Sequence, residues 1–123
     1  NFTNSTGNTF NIAMYDNNAS FTAATTAYTA SNEVTGTAYV AKGNTLVNVT
    51  PTSTSTTAFT DFGDSTWSSS TITARGAMIF NDTASGDPSV VILDFGSDKS
   101  SSSGDFTIVF PTGDSTSAII RIA

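Results

Sequence analysis

The chemistry open to this chain is narrow, because its reactive residues are almost all carboxylates. It carries nine Asp and one Glu, with no His and no Cys. Without His there is no Ser-His-Asp triad, no imidazole metal site and no commonest general base. Without Cys there is no thiolate nucleophile, zinc thiolate site or disulfide. The many Ser and Thr therefore lack an activator. Paired carboxylates could still hydrolyse a glycosidic bond if two faced each other at a defined separation. Asp61, Asp64, Asp94 and Asp98 are the candidates, but three of them sit in turn or strand-end contexts where Asp is ordinary. Asp82 and Asp87, with neighbouring carbonyls, could ligate calcium, but the spacing of a calcium loop is missing. Asp94-Phe95-Gly96 matches a kinase tripeptide in a chain far too short for a kinase. The sequence therefore predicts no catalytic residue, no metal site and no cofactor.

Charge narrows the partners. The formal net charge is −6, and the only cations are Lys42, Arg75, Lys99 and Arg121. A nucleic-acid surface needs a basic stripe to neutralise phosphates, so neither nucleic acid nor an anionic membrane is an expected partner. No apolar run approaches the ~20 residues of a membrane-spanning helix. Arg75 lies within an apolar strand pattern. It is expected either to pair with Asp94 on the next strand or to serve an intersubunit contact. Five Asn-x-Ser/Thr sequons, at Asn1, Asn4, Asn18, Asn48 and Asn81, are close to what this composition produces by chance.

The elements that position these residues are strands. Ser and Thr make up a third of the chain, and only 11% of residues are charged, against ~25% in an average protein. β-branched and aromatic residues fit pleated surfaces, and the usual solvent-facing helix residues are scarce. Strands are predicted at Thr9–Tyr15, Thr45–Thr50, Thr57–Phe62, Thr71–Asn81, Ser89–Phe95, Phe106–Pro111 and Ala118–Ile122, with a short one at Thr37–Val40. Thr9–Tyr15 alternates and reads as half-buried. In Thr71–Asn81 the residues Ile72, Ala74, Gly76, Met78 and Phe80 share one face by strict alternation. Ser89–Phe95 is apolar on both faces and reads as the central, doubly covered strand. Asn1–Asn8 reads as an exposed lead-in, Gly63–Ser70 as a turn carrying Trp67, and Ser97–Gly104 as a polar loop. Ala19–Gly43 is poorly patterned and reads as a long excursion. Seven or eight strands at this spacing predict one all-β domain over residues 1–123, an antiparallel β-sandwich of jelly-roll or immunoglobulin-like type.

Across Ala74–Asn81 (ARGAMIFN), Val91–Lys99 (VILDFGSDK), Phe106–Pro111 (FTIVFP) and Ala118–Ile122 (AIIRI), the chain resembles a family of small virion proteins of tailed bacteriophages. In that family an ARGALIYN strand, a variable turn, an AVLDFGSDK strand, an FTIxFP strand and a terminal AIIRI recur in this order. The front half matches at Phe10–Ser20, Thr25–Tyr39 and Gly43–Pro51, so the resemblance spans nearly the whole chain. Met78 and Phe80 stand where Leu and Tyr are common. The resemblance implies a virion structural protein, and the reading favoured is a decoration (cement) protein on the outer capsid surface. Its partners would be the major capsid protein and copies of itself, as in a trimer. The alternatives are a tail, neck or fibre component, or a carbohydrate-binding or adhesive β-sandwich module that uses exposed aromatics. Candidate interface residues are Tyr28, Glu33 and Tyr39 in the excursion, Trp67, and Arg75.

Overall fold

The computed structural model describes residues Asn1–Ala123. The chain is all-β, with seven strands in two antiparallel sheets that form a β-sandwich. The strands are β1 (Phe10–Tyr15), β2 (Asn44–Thr45), β3 (Asn48–Thr54), β4 (Thr57–Phe62), β5 (Ser65–Asn81), β6 (Ser89–Ile108) and β7 (Ile120–Ile122). One sheet runs β2-β1-β5-β6 and the other β3-β4-β7.

The main core lies between the sheets. Phe10, Ile12 and Met14 of β1 meet Ile72, Ala74, Ala77 and Ile79 of β5, with Phe62 of β4 and Phe106, Ile108 and Phe110 closing it. Aromatic rings link the layers: Phe10 to Phe62 at 5.6 Å and Phe62 to Phe110 at 6.1 Å between centroids. Such offset and tilted pairs add to the area they bury. No residue of the lead-in Asn1–Asn8 is buried, but the segment is tied down. Phe2 stacks on Phe10 at 4.6 Å, and the Asn48 side-chain amide donates to the carbonyls of Thr3 and Asn8.

β1 and β6 exchange the roles their patterns predict. All six residues of β1 are buried. Its second face, Ala13 and Tyr15, joins Met78 and Phe80 in a smaller cluster, against which Ala19, Phe21 and Tyr28 pack. Asn11 is tolerated because Thr45 Oγ1 donates to its Oδ1 at 3.1 Å. β6 is paired only with β5 and forms the sheet edge. Val91 and Leu93 pack on the main core, but Ile92 on the other face is 38% exposed. The apolar run in Ser89–Phe95 therefore marks an edge strand and not a central one.

Two segments read as loops are strand. Trp67 and its neighbours belong to β5, and Ser97–Gly104 belongs to β6. Hydroxyl pairs hold this polar half of the hairpin: Thr66 to Thr107 at 2.9 Å, Ser70 to Ser101 at 2.7 Å and Thr73 to Ser100 at 2.9 Å. Cross-strand Thr and Ser pairs of this kind stabilise antiparallel sheets. Register shifts interrupt the β5–β6 ladder, one of them between Ala74 and Gly76. A bulge reverses the alternation beyond it. Ile72 and Ala74 thus share the main-core face with Ala77 and Ile79, while Met78 and Phe80 turn to the opposite face. Strict alternation fails at that point. Leu93 comes so close that a Cβ on Gly76 would stand 2.6 Å from its carbonyl oxygen.

Gly43 is more constrained. Its φ is +66°, and a Cβ there would lie 1.8 Å from the Ile12 carbonyl oxygen. It is the point where the excursion rejoins β1. Gly86 has a φ of +83° but open space around it. Gly86→Ala is expected to cost only left-handed strain, about 1–2 kcal/mol. Gly43→Ala adds a backbone clash and is expected to cost at least about 3 kcal/mol. Urea denaturation midpoints of the two variants check the difference.

Candidate functional site

The chemistry-bearing residues of the excursion converge on one carboxylate. Glu33 Oε2 accepts from the Tyr28 hydroxyl at 2.5 Å. Its Oε1 accepts from the Tyr39 hydroxyl at 2.7 Å and from the Lys42 backbone N–H at 2.7 Å. The Tyr39 oxygen in turn accepts the Met14 N–H of β1 at 2.9 Å. Tyr15 donates its hydroxyl to the Thr29 carbonyl at 2.8 Å. Glu33 also sits opposite Tyr15 through a single β-bridge. Charge-assisted bonds of this sort are roughly twice as strong as neutral ones.

Lys42 completes the arrangement. Its ammonium lies 2.9 Å from Asp82 and 2.8 Å from Asp87, and within 6 Å of the Tyr28 and Phe80 rings. Hydrogen bonds to Asp87 and then Asp82 push its pKa up. The two carboxylates considered as calcium ligands do share a cation, the ammonium of the chain itself. With Tyr28 N–H on the Asp87 carbonyl and Ser89 N–H on the Thr26 carbonyl, these contacts fasten the excursion to the β5–β6 turn.

The five candidate interface residues therefore fall into three situations. Tyr28, Glu33 and Tyr39 are brought together, and their polar groups face inward. Trp67 is 3% exposed, stacks near Tyr39 at 6.1 Å and meets Phe106 edge-on at 6.2 Å. It is a core residue of β5 and has almost no surface to present, which corrects its expected place in an exposed loop. Arg75 donates its Nε–H to Asp94 Oδ1 at 3.3 Å. The Gly96 amide, and then Arg75, hold the Asp94 carboxyl below the ordinary range. Of the Asp residues considered for hydrolysis, Asp61 has Asp64 nearby, while Asp94 and Asp98 lie on β6. Asp94 is engaged by Arg75, Asp64 accepts the Phe110 N–H at 2.9 Å, and Asp61 is buried in β4. The largest groove, about 470 Å³, runs along β6 past Phe95, Lys99 and Asp105, far in sequence from the Glu33 network.

The sequence reading missed a different surface. Between Lys42 and Asp61 no residue is charged. This neutral stretch forms β2, β3 and most of β4. From Val49 to Thr54 every β3 residue is exposed, so the end of the β3–β4 hairpin projects with both faces open. Ile122, paired with Ala58 near this end, is 71% exposed, and Val47 at the base of the hairpin is 63% exposed. Charge depletion is the compositional mark of interface centres. The signal was available as an eighteen-residue gap in the charge pattern.

No protein-family model matches the chain, and no curated protein or solved structure matches it.

All three tyrosines resist ionisation. Burial, then the neighbouring Glu33 charge, raises Tyr15 far above its ordinary value, and burial with the Glu33 hydrogen bond does the same to Tyr39. Tyr28 is pushed up to about 12 by burial and its bond to Glu33. A raised folded-state pKa gives stability that is complete below the unfolded value of about 10 and lost above it. Stability is therefore expected to hold flat to pH 10 and fall steeply from there toward pH 12, with phenolate absorbance appearing only as the chain unfolds. Glu33→Ala leaves the Tyr39 hydroxyl and Lys42 N–H without their acceptor and is expected to cost about 2–3 kcal/mol in urea denaturation. Glu33→Gln should cost less, since one carbonyl acceptor survives.

Proposed function

We propose that the chain is a structural protein of a tailed-bacteriophage virion, and specifically a decoration protein that binds the outer capsid surface. The observation that carries this reading is the ordered resemblance along the chain. Its four clearest segments fall on β5, on the two halves of β6 and at β7, the strands that build the sandwich. The partners are the major capsid protein and further copies of this chain.

The physical features support a binding role of this kind. The excursion is fastened down, which reduces the ordering entropy lost on association. Ser and Thr surfaces lose less rotamer freedom on burial than Lys or Glu surfaces. The projecting neutral β3–β4 hairpin, with Val49 and Thr52, can approach a shell without desolvating a charge. Repetition over a lattice turns modest single contacts into firm attachment. With Trp67 in the core and the Tyr28 and Tyr39 hydroxyls taken up by Glu33, a sugar-binding reading has less support than a protein-binding one.

Electron cryomicroscopy of particles carrying the protein tests this proposal. Density on the outside of the head is expected. Density confined to the tail would overturn the decoration role, and absence from particles would overturn the virion role. Thr52→Glu places a charge on the hairpin and is expected to weaken attachment at least tenfold, about 1.4 kcal/mol. The fold should stay within about 0.5 kcal/mol of the parent, as for a surface substitution. Counting bound copies per particle at fixed protein concentration measures it.

A further inference from the structure

Asp61 is the most anomalous ionisable group in the chain. It is 1% exposed, and alternation along β4 turns it away from Phe62 and the main core. Its Oδ1 accepts the Phe62 N–H at 2.8 Å, and its Oδ2 has no hydrogen-bond partner. The lid over it is the C-terminal segment. A Cβ on Gly113 would stand 3.3 Å from the Asp61 Cβ and 3.5 Å from Oδ2. The Ile119 amide favours the charged form but makes no well-formed bond to it. A carboxylate in such a place is poorly solvated, whereas a neutral carboxyl fits it.

Apart from Ala118, which is buried, and Ile119, which packs on the main core, the segment that seals Asp61 has few fastenings. β7 has three residues and pairs only with Ala58–Thr60 of β4. The loop before it is organised by Asp114, which accepts from Thr116 and Ser117. Arg121 ties strand to loop through the Ser115 carbonyl at 3.0 Å. The charged groups on this side are few. Asp64, just after β4, opposes ionisation of Asp61. Asp114 belongs to the covering loop, and Arg121 lies on β7 opposite Phe59. On β3 the residue opposite Asp61 is Val49, which is uncharged.

We propose that Asp61 is a pH-operated latch for the C-terminal segment, residues 111–123. Protonated, it lets the loop and β7 close over β4. Ionised, with its proton released to water, it loosens them and bares the β4 backbone edge at Ala58–Thr60. Burial raises the carboxyl pKa in the closed state, and opening returns it to about 3.9. The latch is therefore tightest below pH 3.9 and loosens about tenfold per pH unit until the closed-state pKa is passed. This inference stands apart from the virion proposal and does not need it.

Two NMR measurements on the full chain test it. The Asp61 carboxyl carbon shift is followed with pH, alongside exchange protection of the Ile120 and Ile122 amides, corrected for intrinsic base catalysis. Asp61 should titrate above the ordinary Asp range. Protection of the β7 amides should fall about tenfold per pH unit across the same window, while Ile12 in β1 stays protected. In Asp61→Asn the pH trend at β7 should vanish. Titration at or below pH 3.9 would overturn the latch, and so would an unchanged β7 trend in Asp61→Asn. Should that variant not fold, the parent still decides, because a β7 midpoint displaced from the Asp61 titration overturns it.

Discussion

Burial of β1 on both faces is the constraint from which the rest of the structure follows. A strand enclosed on two sides needs two covers and no unpaired polar group. The β3-β4-β7 sheet supplies one cover, through Phe62. The second cannot be a sheet, since the chain has none left, so the irregular excursion between β1 and β2 provides it. Irregular chain has its own backbone groups to satisfy and little cooperative pairing of its own. Glu33 answers that difficulty by gathering Tyr28, Tyr39 and the Lys42 amide onto one carboxylate. Tyr39 then passes the connection to the Met14 amide within β1. The cover is thereby hydrogen-bonded to the strand it covers.

This arrangement explains which parts of the fold were legible in the sequence. The fold class was, because β-branched and aromatic bias with few helix formers depends on composition alone. The positions of β1, β4 and the apolar part of β5 were, because each has a short apolar period. The ranking of β1 against β6 was not. Burial of Ala13 and Asn11 depends on what lies across from them, and a distant loop decides that. Ser97–Gly104 was illegible for a related reason. Consecutive serines lack strand periodicity, and their partners on β5 are about thirty residues away. The bulge near Gly76 leaves only a glycine as a trace, so alternation read straight through it assigns Met78 and Phe80 to the wrong face.

The site residues divide along the same line. Pairing of Arg75 with Asp94 followed from their places at neighbouring strand positions, and the structure contains it. Tyr28, Tyr39, Glu33 and Trp67 were picked out for chemical versatility, and that versatility is used inside the molecule. An aromatic ring with a hydroxyl suits an interface, and it equally suits an internal seam between a polar loop and an apolar sheet. Pattern cannot separate the two uses, but the charge gap between Lys42 and Asp61 carries different information. Eighteen uncharged residues in an acidic chain, forming a hairpin open on both faces, describe a surface that can lose water at small cost.

Glu33 and Asp61 show how the same functional group takes opposite roles according to its donors. Glu33 has three donors, so its carboxylate is an anchor that holds the excursion. Asp61 has one well-formed donor and a like charge nearby, so its negative charge is a strain on the segment that encloses it. Each acid governs an irregular segment that covers a sheet: Glu33 the excursion over β1, Asp61 the C-terminal loop over β4. The first cover is closed by satisfying a carboxylate and the second by neutralising one. A rise in pH through the Asp61 range therefore acts on the C-terminal cover. The two covers are held differently because their acids are unequal in hydrogen bonds.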